Sequence, residues 1–182
     1  MDRARRRRLR AGAVKRHLVL VGLPGSGKTT VGRRLAGLLG AAFSDIDEIV
    51  AAAAGMPVAQ VFATHGEPRF RRMERAAMDG AMAAPPHVIA PGAGWIVQPG
   101  NLAAAGHALL IYLEIPPEAA ATRLQGDATR PLLAGAEPVA RLGALLAERE
   151  AWYRKSAAGV DATGTPDSVA RAVLEAARPF VT

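Results

Sequence analysis

Gly22-Leu23-Pro24-Gly25-Ser26-Gly27-Lys28-Thr29 is the stretch from which the rest of the chain can be read. It matches G-x-x-x-x-G-K-[ST], the P-loop pattern. The glycines let consecutive backbone N–H groups approach an anion without Cβ clashes. Lys28 adds a point charge for the outer phosphates, and the Thr29 hydroxyl is a ligand for Mg²⁺. Both flanks agree. His17 to Val21 reads as a short buried strand, and Thr30 to Leu39 as a helix with Val31, Leu35, Leu38 and Leu39 on one face. Gly40 stands where a helix-ending glycine belongs. Strand, loop and helix in that order present phosphates with a helix N-terminus.

The 182 residues suit one domain with a sizeable core, and half of them are apolar. With no cysteine, disulfides and thiolate metal sites are excluded, which fits a reducing, cytoplasmic setting. No apolar run approaches the length of a membrane span, so no membrane partner is expected. The net charge of +7 is local: of 23 basic and 16 acidic side chains, eight basic and one acidic fall in residues 1–16. The remainder balances at zero. The tail reads as a solvated, disordered arm or an over-long start, with a weak nucleic-acid or anionic-surface contact as the alternative. The neutral body argues against a nucleic-acid-associated ATPase.

Beyond the first helix, Ala41 to Asp47 reads as a second strand, which would turn Asp45 and Asp47 to the same face. Two carboxylates there lie near the ligand crevice of an α/β sheet. One would hold Mg²⁺ through water and the other a hydroxylated substrate; the alternative for Asp47 is capping the next helix. Glu48 to Ala54 forms that helix, closed by Gly55, and Pro57 opens another carrying Val58, Val61 and Phe62. From Gly66 a longer helix places Phe70, Met73, Ala77 and Ala81 in an apolar stripe. Glu74 falls inside that stripe and Arg71 at its edge, at a spacing that lets them pair.

A third strand, His87 to Ala90, runs into Pro91-Gly92-Ala93-Gly94-Trp95, a glycine turn at the same crevice. Ala108 to Leu113 is the most apolar strand and is expected to be central. A helix from Pro116 to Leu124 carries Arg123. Residues 125–138 then form a glycine-bounded loop, read as a lid with Arg130 as its charge carrier. The helix from Val139 to about Lys155 groups Val139, Leu142, Leu145, Leu146, Trp152 and Tyr153 on one face; Arg149, near the middle of that face, is either paired across the core or, the favoured reading, pointed into a cavity to hold an anion. Ala158 to Ala162 is a closing edge strand, and Pro166 to about Arg178 an amphipathic helix. Five strands alternating with helices predict a three-layer α/β domain over residues 17–182, with a mostly parallel sheet. The third strand carries no acid after its apolar run, and N-K-x-D is absent. Motor ATPases and GTPases are thereby disfavoured, and a kinase for a small anionic metabolite suits the lid and the arginines.

In this order the segments resemble shikimate kinase, within the nucleoside-monophosphate-kinase-like P-loop group. The matching stretches are Gly22 to Leu39, Phe43-x-Asp45-x-Asp47, Phe62 with Gly66-Glu67-x-x-Phe70-Arg71-x-x-Glu74, Arg130-Pro131-Leu132-Leu133 and Arg149-x-x-x-Tyr153. Together they run from about His17 to Phe180. The resemblance implies a five-stranded parallel sheet in the order 2-3-1-4-5 and a monomeric enzyme using ATP and Mg²⁺. Gly25, Ser26, Gly27, Lys28, Thr29 and Thr30 would bind the nucleotide, with Arg123 near the adenine and Arg130 closing over the phosphates. Thr29 and Asp45 would serve the metal. Asp47 would hold substrate hydroxyls, Arg71 and Arg149 the substrate carboxylate, and Phe62 and Phe70 the apolar walls; Gly92, Ala93 and Gly94 would approach the substrate closely. Lys28, Asp47 and Arg130 would carry the catalysis.

One stretch departs from the family, which has three consecutive glycines where this chain has Gly92-Ala93-Gly94. Ala93 disfavours positive φ, and Trp95 is bulkier than the family's residue there. The acceptor is therefore either shikimate or another hydroxylated acid such as a gluconate-like compound. A non-catalytic sensor of the same fold is the remaining alternative.

Overall fold

The computed structural model describes residues 14–125 and 137–181. Arg130, nearly all of the expected lid and most of the basic tail lie outside the described residues.

Five strands form one parallel sheet: β1 (Leu18–Val21), β2 (Phe43–Asp45), β3 (Val88–Ala90), β4 (Leu109–Glu114) and β5 (Ala158–Asp161). Their order is β2-β3-β1-β4-β5, as the resemblance implied. Leu18 is in register with Val88 on one side and Leu109 on the other. β1 therefore holds the centre, and all four of its side chains are buried because helices cover both faces of a parallel sheet. β4, expected at the centre for its apolarity, lies one place over but is still flanked on both sides.

The helices are α1 (Lys28–Leu39), α2 (Ile46–Ala54), α3 (Val58–Ala83), α4 (Asn101–Ala104), α5 (Pro117–Leu124), α6 (Pro138–Tyr153) and α7 (Pro166–Val181). In the pattern of contacts α1 packs on α7, α5 on α6, and α2 on α3. α1 buries Val31, Leu35 and Leu39, each contributing about 1.5–3 kcal/mol of transfer free energy. Leu38, assigned to the same face, is instead 40% exposed. Among the described residues no single helix is long and apolar enough to cross a membrane.

Three local departures bear on the site. The second strand stops at Asp45, which turns out of the sheet to cap α2, its carboxylate accepting from the backbone N–H groups of Asp47 and Glu48. Asp45 and Asp47 therefore do not share a strand face, and the capping residue is Asp45, since Asp already satisfies two of the first-turn donors. α3 joins the two helices expected from Pro57 and from Gly66, with a break between them at Gly66, whose φ of 73° and ψ of 168° are not helical. Its buried stripe is Phe70, Glu74, Met78 and Ala81 rather than one running through Met73 and Ala77. On α6 only Leu142 and Tyr153 are buried. Val139 and Trp152 face outward, and the Trp152 ring lies 3.7 Å under the Lys155 ammonium, a contact that keeps its apolar face covered without a core.

Candidate active site

β1 ends on the glycine loop, and α1 starts at its far side. Gly27 caps α1 at φ 90°, a conformation that costs an L side chain dearly, which is why a glycine stands there. Lys28 and Thr29 thus sit in the first turn of α1, where the helix N-terminus favours negative charge. The Lys28 ammonium donates to the carbonyls of Gly22 at 2.9 Å and Leu23 at 3.0 Å. The Thr29 hydroxyl donates to Asp45 Oδ2 at 2.5 Å, joining α1 to the end of β2. The Ser26 side chain is fully buried, with its Oγ lacking a hydrogen-bond partner among the described residues.

These groups open on a cavity of about 210 Å³. It brings together Gly25, Gly27, Lys28, Thr29, Thr30, Asp45, Asp47, Ala93 and Arg123 from the predicted set. Ala90, Pro91 and Leu124 also line it and were not anticipated. Leu124 could have been found, since it ends the helix that carries Arg123. Arg123 reaches the loop after β5, donating to the carbonyls of Thr163 at 3.0 Å and Gly164 at 3.1 Å.

A second group of predicted residues is packed beside this cavity. Arg71 is held by two carboxylates: Nη1 donates to Glu74 at 2.8 Å, while Nε and Nη2 donate to Glu67 at 3.1 and 2.9 Å. Glu74 is 1% exposed, so the pairing expected from its spacing is a buried one and not a solvated surface pair. Burial works against the Arg71 charge, but Glu74 and then Glu67 outweigh it and hold the guanidinium above its ordinary value. Burial pushes the Glu74 carboxyl up; Arg71 opposes this, and the negative charges of Asp47 and Glu67 add to it. Glu74 Oε1 has no hydrogen-bond partner among the described residues.

The glycine turn fits against these side chains. A Cβ on Gly92 would come within 2.6 Å of Glu74 Oε1 and 3.1 Å of Asp47 Oδ1, and one on Gly94 within 2.7 Å of Arg71 Nη2. Close approach, and not an unusual φ, explains both glycines. Phe62 and Phe70 meet with ring centroids 4.4 Å apart, bridging the break at Gly66. Arg149 keeps only 11% of its side chain exposed and lies 3.5 Å from Glu148. One turn further on, the Tyr153 hydroxyl donates to the carbonyl of Ala93 at 2.8 Å.

The model of the family described as shikimate kinase matches residues 24–178. The chain belongs to the shikimate kinase family. A shikimate kinase of Mycobacterium avium (strain 104) is 45% identical over 140 residues, covering 76% of this chain and 79% of the relative. The structure of shikimate kinase from Acinetobacter baumannii in complex with shikimate superposes with a TM-score of 0.83 at 32% identity, covering 88% and 91% of the two chains. A gluconokinase from Sinorhizobium meliloti shares the fold alone, with a TM-score of 0.62 at 16% identity over 91% and 93%. As a shikimate kinase family member this chain is an ATP-dependent kinase with an alcohol group as acceptor.

The departures from the family's pattern now have a location. Trp95 is 2% exposed, packed in the core, and its carbonyl accepts from Asn101 at 2.8 Å. It lines no part of the phosphate cavity, and its bulk is taken up by the core. Ala93 does line the cavity, but Glu137 is the one non-glycine with positive φ among the described residues, so the alanine carries no backbone strain. The signal for Trp95 would have needed the short helix α4, which packs beyond it and left no periodic pattern in four residues.

Proposed function

We propose that the protein transfers the γ-phosphoryl group of ATP to the 3-hydroxyl of shikimate. The observation that carries this reading is the juxtaposition of two sets of residues across Ala93: Lys28, Thr29, Asp45 and Asp47 around the cavity, and the doubly held Arg71 against Gly94. The first set suits phosphates and the second a carboxylate, which a planar guanidinium reads in two-point fashion.

Gly25, Ser26, Gly27 and Thr30 hold the phosphates with backbone N–H groups, and Lys28 neutralises the charge that develops on the group in transit. Arg123, tied to the Thr163–Gly164 carbonyls, borders the nucleotide's base. Asp47 orients the acceptor hydroxyl. Glu74 Oε1, buried beside Gly92 with no donor among the described residues, supports a polar ligand at that point, because buried acceptors are rarely left unmet. Arg71 and Arg149 take the substrate carboxylate, while Phe62 and Phe70 cover its apolar ring edge. Arg130 closes over the phosphates. Catalysis here is positioning and charge stabilisation, with little covalent work for the protein.

Mg²⁺ fits the donors present. Thr29 and Asp45 supply hard oxygens 2.5 Å apart beside the phosphate loop, and no cluster of three acids or histidines forms a protein cage among the described residues. Mg²⁺ prefers such a sparse site, keeping waters and phosphate oxygens as its other ligands. When bound it would screen the β- and γ-phosphate oxygens. The same reading makes the enzyme a monomer, checked by sedimentation.

The test is ADP release with Mg²⁺–ATP and a panel of shikimate, quinate and gluconate. Turnover dependent on shikimate, lost by at least about a hundredfold in Lys28→Ala, is expected. Turnover of gluconate without shikimate would overturn the acceptor assignment.

A further inference from the structure

Tyr153 is fully buried at the C-terminal end of α6, yet the phosphoryl-transfer scheme gives it no part. Three contacts converge on it. Its ring stacks on Tyr112 of β4, centroids 5.0 Å apart and planes 19° apart. Its hydroxyl donates to the Ala93 carbonyl at 2.8 Å, across 60 residues of sequence. The Arg149 guanidinium, one helical turn earlier, is the third, its positive charge acting on the phenol. The phenol thus stands between the charge of an arginine and the middle of the glycine turn, to which it donates.

The turn's other side-chain anchors are local, the Gln98 amide donating to the Gly94 carbonyl at 3.4 Å and the Asn101 amide to the Trp95 carbonyl at 2.8 Å. Gly92 and Gly94 approach Glu74, Asp47 and Arg71 through bare backbone, with no side chain of their own to fix them. A turn built to lie that close to its neighbours needs its position set from elsewhere, because a shift of a few tenths of an ångström changes each approach. We propose that Tyr153 is a positioning residue for the acceptor site: through Ala93 it sets the glycine turn at a fixed distance from Arg149, so that both parts of the acceptor site move as one body with α6.

Two further observations agree with this. The stacked Tyr112 belongs to an interior strand, in register with Val21 at the end of β1, so the anchor is referenced to the strand that carries the phosphate loop. Burial pushes the Tyr153 phenol up to about 12, with Arg149 opposing, so it remains a donor throughout the working range.

The inference rests on the proposed acceptor site, and its test separates the two. Tyr153→Phe removes one oxygen and keeps the stack. Amide hydrogen exchange at residues 92–95 is measured in the free protein, where the Trp95 N–H bonded to the Gly92 carbonyl is the reporter. Exchange there is expected to quicken at least about fivefold while β1 and α1 stay unchanged, and unchanged exchange at 92–95 would overturn the proposal whatever the acceptor proves to be. In steady state the variant is expected to raise KM for shikimate about fivefold or more with KM for ATP within about twofold, since the phosphate loop is not touched. An equal rise for both substrates would mark a general loosening and also overturn it. Wild-type turnover of shikimate is the control, and its absence would count against the acceptor reading alone.

Discussion

Thr29 and Asp45 are joined by a hydrogen bond of 2.5 Å that spans from the first turn of α1 to the end of β2. The same Asp45 carboxylate caps α2 through its other oxygen, accepting from Asp47 and Glu48. One side chain therefore fixes the helix that carries Asp47 and faces the phosphate cavity. Asn caps a helix about as well as Asp, so Asp45→Asn should keep its thermal midpoint within about 4 °C of wild type. What it loses is charge. The Mg²⁺ concentration for half-maximal turnover should rise about tenfold or more. An unchanged Mg²⁺ titration would remove Asp45 from the metal site.

Arg71 is gripped by Glu67 and Glu74 at once. A lysine cannot span two carboxylates and still offer a planar face to a third. Arg71→Lys should raise KM for the acid substrate at least about tenfold, with ATP affinity nearly unchanged. If both constants rose together, a carboxylate-reading role would be untenable.

Two glycines make opposite forecasts for the same substitution. Gly92→Ala would drive a methyl to 2.6 Å from Glu74 Oε1, on a buried carboxylate whose other oxygen is held by Arg71 and which cannot yield cheaply. A loss of about 1–3 kcal/mol in unfolding free energy is expected, together with weakened acceptor binding. Gly37 lies on the exposed side of α1, where a Cβ meets nothing within 4 Å. Gly37→Ala should stabilise by about 0.5–1 kcal/mol with activity intact. Denaturant titration of both variants decides the matter.

His17 precedes β1 and stands edge-on to His87, ring centroids 5.0 Å apart. Its Nε2 donates to the Met82 carbonyl and its Nδ1 accepts from the His87 N–H, so both nitrogens are engaged by the neutral ring. Burial and then the charge of His87 lower its pKa, against hydrogen bonds to Met82 and Ala84 that raise it. A lowered base binds fewer protons folded than unfolded. Its contribution is therefore complete above about 6.5 and is lost as pH falls below that value. Unfolding free energy should fall further between pH 7.5 and 5.5 in wild type than in His17→Gln. Equal slopes would show that His17 titrates alike in both states.

What could be read in advance was whatever short-range rules decide. The strand, loop and helix around Lys28 span barely two dozen residues, and pattern and structure coincide there. Arg71 and Glu74 met because a helix places i and i+3 together. Asp47 differs from its expected place on the strand because the strand ends two residues earlier, at Asp45, which is also the cap, and both roles suit an aspartate. Trp152 and Val139 were placed inward because a helical wheel shows which residues share a face but not what lies opposite. The fit of Gly92 against Glu74 and the hydrogen bond from Tyr153 to Ala93 join segments far apart in the chain, and no spacing announces them.

The break at Gly66 divides the proposed acceptor site between two rods. Phe62 rides on one and Phe70 with Arg71 on the other, the two rings touching across the joint. The room available to an acid is thus an angle as much as a roster of side chains. On the proposed acceptor site, a different angle at Gly66 would alter that room with every side chain around it left as it was.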